Sequence, residues 1–226
     1  MLSNVIKAVL FSAVMVSSAY PLGYMAAKQS FNVDVESYQE KTFGDVIRQQ
    51  FDFSCGSAAV ASLASYHYNI DVAEDSAFKA MFDAGDRAKI EKEGFSLFDM
   101  RQYLHSLGLQ AEGYKLGLDK LRELGVPVIT LVNFDGYHHF VLIKGINDNA
   151  VILGDPSRGI MVMEKDKFLN YYREVVLLVV NRADEGRDSF ITDNNFSIYE
   201  SAPTDSAISR EAMISDMVAS PAILGF

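Results

Sequence analysis

The sequence contains a single cysteine, Cys55, so it cannot form an internal disulfide. A small domain held together by disulfide bonds is therefore excluded. A lone thiol is normally either buried as a small apolar side chain or kept for its reactivity. Only the residues around Cys55 can decide between these two interpretations.

Basic residues are also scarce: 20 Lys and Arg stand against 30 Asp and Glu, which gives a formal net charge of −10. Nucleic-acid binding normally requires a clustered Lys/Arg surface, so no nucleic-acid partner is expected. There is no Gly-x-x-x-x-Gly-Lys-Ser/Thr phosphate-binding loop, so an ATP-driven motor would have to be a separate protein. With 226 residues, 49% of them hydrophobic, we expect one compact domain with a sizeable core.

The first residues have the composition of an export signal. Lys7 is the only early positive charge, residues 8–16 are apolar, and small residues follow up to Ala19. This order predicts a secretory signal peptide cleaved after Ala19. The alternative is an uncleaved anchor over residues 1–27, which would attach the protein to the membrane. In both cases we expect the remainder of the chain in the periplasm.

The next part of the chain is predicted to be mostly helical. FNVDVESY and DVIRQQ indicate short extended segments. Ser54 is a suitable N-cap for CGSAAVASLASYHY, whose small and apolar residues recur at helical spacing through Tyr66. Further helices are predicted at residues 73–84, 97–107 and 118–124.

From Pro127 the pattern changes to strands. Five runs are rich in β-branched and aliphatic residues: PVITLVNF, HFVLIKGI, AVILGD, GIMVME and EVVLLVV. Turn sequences between the first four favour hairpins and a largely antiparallel sheet, and a short helix is expected over residues 166–172. We therefore predict an α+β domain over residues 31–182, with helices packed on one side of an antiparallel sheet.

The C-terminal residues 183–226 are acidic and rich in Ser and Asn, with little periodicity. This composition predicts a flexible tail. The apolar cluster 212–224 within it has the alternative interpretation of a docking helix or a partner-binding stretch.

Cys55 falls in the first turn of its predicted helix, where free N–H groups and the positive end of the helix dipole favour a thiolate. Gly56 would then let a substrate backbone approach closely. The alternative is that Ser54, Cys55 and Gly56 form only a capped, tightly packed helix start.

A thiolate nucleophile needs a base, and the chain has four histidines. His67 and His105 lie near predicted helix ends, where a solvated His beside the last carbonyls is expected. His138 and His139 open a strand and point to opposite faces, so at most one can face a site. His139 is the candidate base, because alternate apolar residues after it continue an inward-facing row.

Two further residues complete a candidate catalytic set. Asp155 ends the strand that is expected to pair with the His139 strand, which would place the two side chains together; the alternative is an ordinary turn Asp. Gln49, just ahead of the Cys55 helix, offers a side-chain N–H for an oxyanion hole, with Gln50 as the alternative donor.

Three segments of the sequence resemble the bacteriocin-processing, papain-like cysteine peptidases that remove double-glycine leaders. RQQFDFSCGSAAVASL is similar to the nucleophile segment of that family, and HHFVLIKGI and VILGDPSRG are similar to its His strand and Asp-Pro turn, in the same order. The resemblance covers roughly residues 46–180. It implies a papain-like fold, no metal or cofactor, and the roles of nucleophile for Cys55, general base for His139, orienting acid for Asp155 and oxyanion donor for Gln49.

Members of that family are often fused to an ABC transporter, whereas this chain resembles the stand-alone periplasmic branch. Its size and layout are similar to the peptidase encoded with functional-amyloid (Fap) secretion genes. The resemblance implies an endopeptidase that cleaves after small residues such as Gly-Gly, in a secreted polypeptide or a secretion component, with secretion-system or amyloid-operon proteins as partners. Ser54 stands where fused members often have Asp, which bears on the cleavage preference.

Two other functions remain open from the residues themselves. The same Cys-His-Asp set recurs in amidases, including those that act on the cell wall. A binding or chaperone module that holds substrates without cutting them would not need all four residues.

Overall fold

A computed structural model describes the protein over residues 42–51, 53–134 and 136–200. The expected signal peptide or anchor over residues 1–27, the extended segment 31–38 and the apolar cluster 212–224 lie outside these ranges. Those expectations stay predictions.

Eight α-helices and six strands make up the described part of the chain, which confirms the α+β class. The helices are α1 Cys55–Ser62, α2 Glu74–Ala84, α3 Arg87–Glu93, α4 Leu97–Ser106, α5 Leu118–Leu124, α6 Lys165–Tyr171, α7 Ala183–Ser189 and α8 Asp193–Glu200, and a π-helical turn, Leu63–His67, continues α1. The strands are β1 Ala111–Lys115, β2 Val128–Phe134, β3 Tyr137–Ile146, β4 Ala150–Asp155, β5 Gly159–Glu164 and β6 Tyr172–Val179. No helix within the described ranges has both the length and the apolar character that crossing a bilayer requires.

The six strands form one antiparallel sheet in the order β1-β6-β2-β3-β4-β5. The expected hairpin between β3 and β4 is confirmed, with Leu142 opposite Gly154 and Ile143 opposite Leu153. This register brings the end of β4 beside the start of β3. Asp155 therefore lies next to His139, as the sequence predicted.

Both faces of the sheet are covered by helices, so the one-sided packing predicted from sequence is wrong. Helices α1, α2 and α4 share a core with Phe140 and Leu142, while α5 and α6 pack against Val141 and Ile143. These four residues alternate along β3, and all of them are apolar. A strand that is apolar at successive positions needs cover on both sides.

Residues 183–200 are folded, which corrects the prediction of a flexible tail for this part of the segment. Helices α7 and α8 flank Ile191, which forms a parallel bridge to Gly145 on β3. Phe190, Ile191 and Phe196 are buried. Burial of these apolar side chains offsets the cost of ordering a segment whose average composition is polar. Residues 201–226 lie outside the described part.

Candidate active site

Cys55 is the first residue of α1 and is 8% exposed. Ser54 occupies the N-cap position as expected, but its hydroxyl does not bond to a helix N–H. It accepts a hydrogen bond from the Phe51 N–H at 3.1 Å and donates to the Phe51 carbonyl at 3.0 Å. Because the Ser54 hydroxyl bonds to Phe51 and not to α1, it leaves the first N–H groups of the helix uncapped.

Gly56 serves packing within the domain. A Cβ atom at this position would lie 3.0 Å from the Phe95 Cβ and 3.4 Å from the Met100 Sδ. The glycine therefore lets α1 approach the start of α4 closely. This favours the packing interpretation of Gly56 over the substrate-approach interpretation.

His139 and Asp155 form a buried pair. The His139 Nε2 lies 2.8 Å from the Asp155 Oδ1, and the two side chains are 2% and 1% exposed. The same carboxylate oxygen accepts hydrogen bonds from the Ser157 backbone N–H and hydroxyl, both at 2.7 Å. The turn that follows β4 thus fixes the position of the Asp155 carboxylate. The carboxylate then fixes the orientation of the His139 imidazole.

The pKa values of His139 and Asp155 depend on the contact between the two side chains. Burial alone lowers the pKa of His139, but hydrogen bonds and charge interactions with Asp155 and then Cys55 outweigh it and raise the pKa to about 9. Burial alone would raise the pKa of Asp155, but its bonds to His139 and Ser157 lower it. At neutral pH we therefore expect an imidazolium bound to a carboxylate.

The other ring nitrogen of His139 is available to the thiol. The His139 Nδ1 is buried and accepts or donates no hydrogen bond within the described ranges, while Cys55 is close enough to raise the His139 pKa. The Cys55 thiol and the Nδ1 of His139 are therefore neighbours without a hydrogen bond between them. His138 is exposed and its Nε2 lies 3.3 Å from the Asn133 amide, so the two histidines diverge as predicted.

Gln49 lies in the loop ahead of α1 and is tied to the Asp155 turn. Its backbone N–H donates to the Pro156 carbonyl at 2.9 Å, and its side-chain Nε2 donates to the Phe51 carbonyl at 3.0 Å. The Gln49 Oε1 is buried with no partner in the described chain. An amide nitrogen carries two hydrogens, so one remains for a ligand. Gln50 is exposed.

The two remaining histidines lie apart from this cluster. His67 is buried, with its Nδ1 2.8 Å from the Ser189 hydroxyl, so the predicted solvated position is wrong for it. The reason is that the segment 183–200, expected to be flexible, covers the end of the π-helical turn. His105 is partly exposed, and its Nε2 lies 2.9 Å from the Ala111 carbonyl.

Sequence reasoning missed two residues that shape the site. Ser157 supplies two bonds to Asp155, and an Asp followed two residues later by Ser is a recognisable turn signal. The ring of Tyr137 stacks on the His139 ring at 5.6 Å between centroids, with an angle of 25° between the planes. The two-residue spacing along β3 places both rings on one face.

A cavity of about 690 Å³ opens between α2, α3 and α4, with Met81, Ile90 and Phe98 among its lining residues. None of the four candidate catalytic residues lines it. Within the described part of the chain, no group of three or more His, Cys, Asp and Glu side chains is arranged to bind a metal ion.

The arrangement suits nucleophilic acyl transfer. The thiol lies at a helix start beside an imidazole, the imidazole is held by a buried carboxylate, and the Gln49 amide lies in the loop just ahead of the helix. Each component is supplied by a different element: α1, β3, the end of β4 and the loop that contains Gln49.

Comparison with known proteins places this arrangement in context. The model of the peptidase C39 family matches residues 44–184. A probable functional amyloid protease, FapD, of Pseudomonas fluorescens is 37% identical over 77% of this chain and 74% of its own length. The protein of the same name from Pseudomonas aeruginosa is 30% identical over 77% of this chain and 75% of its own length.

A solved structure has a similar fold. The peptidase domain of Streptococcus ComA, described as a bi-functional ABC transporter involved in a quorum-sensing pathway, matches with a TM-score of 0.51 and 21% identity. The match covers 60% of this chain and 96% of that domain.

Proposed function

The chain belongs to the peptidase C39 family and is a cysteine peptidase, and on that premise we propose that it is an exported endopeptidase that cleaves a secreted polypeptide or a secretion component. The buried His139–Asp155 pair, with Cys55 near enough to raise the pKa of His139, carries this proposal. Two relatives named as probable functional amyloid proteases support functional-amyloid secretion as its setting, with proteins of that system as partners. We extend the proposal to cleavage after small residues of the Gly-Gly type.

The proposed reaction follows the geometry. The Cys55 thiolate attacks the scissile carbonyl carbon, and the carbonyl oxygen becomes an oxyanion that accepts hydrogen bonds from the Cys55 backbone N–H and the Gln49 side chain. The His139 imidazolium gives its Nδ1 proton to the leaving amine, which departs as the thioester forms. Neutral His139 then takes a proton from water, the resulting hydroxide equivalent displaces the thiolate, and the acid product leaves. Asp155 holds the Nε2–H throughout.

We propose that the peptidase acts in the periplasm. The basic, apolar and small-residue order of residues 1–27 supports translocation, either with cleavage after Ala19 or with the segment retained as a membrane anchor. A peptidase placed there would meet secreted polypeptides after they cross the inner membrane.

Co-expression tests the proposal directly. The wild type and a Cys55→Ser variant are each produced with the secreted proteins encoded beside them, and new termini are identified by mass spectrometry. We expect new C-termini at small residues only with the wild type, in the periplasmic fraction. Identical termini with both variants would contradict endopeptidase activity, and release of cell-wall fragments by the wild type alone would favour an amidase.

A further inference from the structure

Lys144 is a completely buried lysine on β3, five positions beyond His139. Its ammonium group forms an ion pair with Asp45, which lies in the loop ahead of Gln49 and is 37% exposed. Burial of a lysine is costly unless its charge is paired. The reaction described above gives neither residue a role.

The ion pair and two hydrogen bonds from backbone N–H groups tie the loop over residues 42–51 to the elements that contain the catalytic residues. The Ile47 N–H donates to the Ser62 hydroxyl of α1 at 2.8 Å, and the Gln49 N–H donates to the Pro156 carbonyl at 2.9 Å. The Lys144–Asp45 pair ties the beginning of the same loop to β3. The loop is thus attached to the helix that contains the nucleophile, to the turn that contains the acid and to the strand that contains the base.

The C-terminal segment closes over this ion pair. The Ile191 N–H donates to the Lys144 carbonyl at 2.9 Å, and the Ser189 hydroxyl meets His67 on the other side. Tyr199 of α8 is partly buried and lies within reach of the Asp45 charge. These segment residues lie beyond those that the family model matches, so family membership does not predict the cover.

The cluster beneath the cover has a defined charge state. Burial first, and then the nearby Lys144 charge, lower the pKa of His67 to about 4. His67 is therefore neutral near pH 7 and does not compete with Lys144 for Asp45. Burial also lowers the pKa of Lys144, and the charge of Asp45 and its hydrogen bond oppose this effect.

We infer that Lys144 is a positioning residue: its ion pair with Asp45, covered by residues 189–199, fixes the loop that presents the Gln49 amide to the scissile carbonyl. This inference rests on the proposed function of Gln49 as an oxyanion donor. Lys144 touches no reacting atom and acts through the loop. A residue that only stabilised the fold would affect Gln49 and all other residues of the site alike.

Lys144→Met tests the inference, because a linear apolar side chain fills the same space and Asp45 can be solvated. Amide hydrogen exchange gives a readout that needs no substrate. We expect faster exchange at Ile47 and Gln49 and unchanged exchange in α4. Lys165→Met is the matched control, since Lys165 pairs with Asp119 at 2.7 Å, joins α6 to α5 and is 21% exposed. Equal exchange in both variants would overturn the inference.

A second arm measures turnover of the fluorogenic probe Gly-Gly-aminomethylcoumarin. In the wild-type background, Lys144→Met should lower kcat by about tenfold with little change in KM. In the Gln49→Ala background, the same substitution should lower kcat by less than about twofold. Iodoacetamide should alkylate Cys55 at the wild-type rate, because the thiol–imidazole pair is intact. Additive losses in the double variant would overturn the inference.

The two proposals fail in different ways. No turnover of any peptide by the wild type contradicts the proposed function, while the exchange experiment still decides whether Lys144 holds the loop. If Lys144→Met does not fold, Asp45→Asn, which removes the charge of the partly exposed partner, takes its place. Unchanged exchange at Gln49 in that variant would overturn the inference.

Discussion

His139 is the residue at which burial and neighbouring charge compete most directly. Burial alone favours a neutral ring, whereas Asp155 and Cys55 favour the imidazolium, and the second effect wins. The result is a proton held beside the thiol at neutral pH.

Rapid alkylation of Cys55 is the first expected consequence. Because the His139 imidazolium and the start of α1 both lie beside the thiol, iodoacetamide should modify Cys55 at neutral pH faster than it modifies a cysteine peptide. The rate is measured by intact mass against time. His139→Ala should remove most of the advantage. A wild-type rate no higher than that of the peptide would favour an inert buried thiol.

The two adjacent histidines should behave differently. His139→Ala removes the proton donor and should lower kcat/KM by about a thousandfold. His138→Ala changes only an exposed ring beside Asn133 and should keep most of the rate. Peptide hydrolysis by the two variants gives the comparison. Reversed effects would mean that the other histidine acts as the base.

Gln49→Ala tests the oxyanion hole. A donor aimed at the developing oxyanion acts mainly in the transition state, so kcat should fall about a hundredfold with little change in KM. Gln50→Ala is the matched control, since Gln50 is the exposed neighbour. Loss of thiol alkylation in the Gln49 variant would instead assign this residue to shaping the start of α1.

At the scale of elements, the segment 183–200 stabilises the fold through a few buried apolar side chains, although its average composition is polar. Phe196 on α8 is 2% exposed and packs with Ile152 and Ile191. Phe196→Ala should lower the free energy of unfolding by about 3 kcal/mol, because a large buried side chain leaves a cavity. Urea unfolding measures the change. Ile198→Ala, at a position on the same helix that is 70% exposed, should change it little.

Most elements could be predicted because each has a clear period or boundary. Ser96 and Gly108 bracket α4, and the strands β2 to β5 are continuous apolar runs. Strand β1 was missed because AEGYK is polar and mostly exposed, and only its pairing with β6 makes it a strand. Helix α3 was missed because RAKIEKE buries only Ile90.

Some residues of the site could be predicted from the sequence, and others could not. Cys55, His139 and Asp155 could be put forward from local spacing and strand alternation, whereas the choice of Gln49 over Gln50 came from the family resemblance. Lys144 could not, because nothing in HFVLIKGI distinguishes a buried, paired lysine from a surface lysine on the same strand. Its partner Asp45 lies almost a hundred residues earlier, and only the tertiary fold brings the two together.

At the scale of the whole molecule, stability should be greatest near neutral pH. The lowered pKa of His67, about 4, means that the unfolded chain binds this proton first on acidification, so stability falls from about pH 6.5 to pH 4. The lowered pKa of Asp155 adds a loss at still lower pH. The raised pKa of His139, about 9, contributes stability that is complete below about pH 6.5 and is lost as pH rises through 9.

Urea unfolding across this range checks the prediction. His67→Asn keeps a polar atom near the Ser189 hydroxyl and removes the titrating ring. Between about pH 6 and pH 4.5 the variant should lose stability less steeply than the wild type, by up to about 1.4 kcal/mol per pH unit. Equal slopes would mean that His67 does not account for the acid loss.

The bond between the Gln49 N–H and the Pro156 carbonyl joins two distant parts of the chain, one before the nucleophile and one after the acid. Contacts of such long separation close late in folding, because the intervening chain must already be in place. A newly made molecule would therefore have its cysteine long before it had a working peptidase. Its own unfolded chain, and other chains folding beside it, would be spared from cleavage until the last strands had paired.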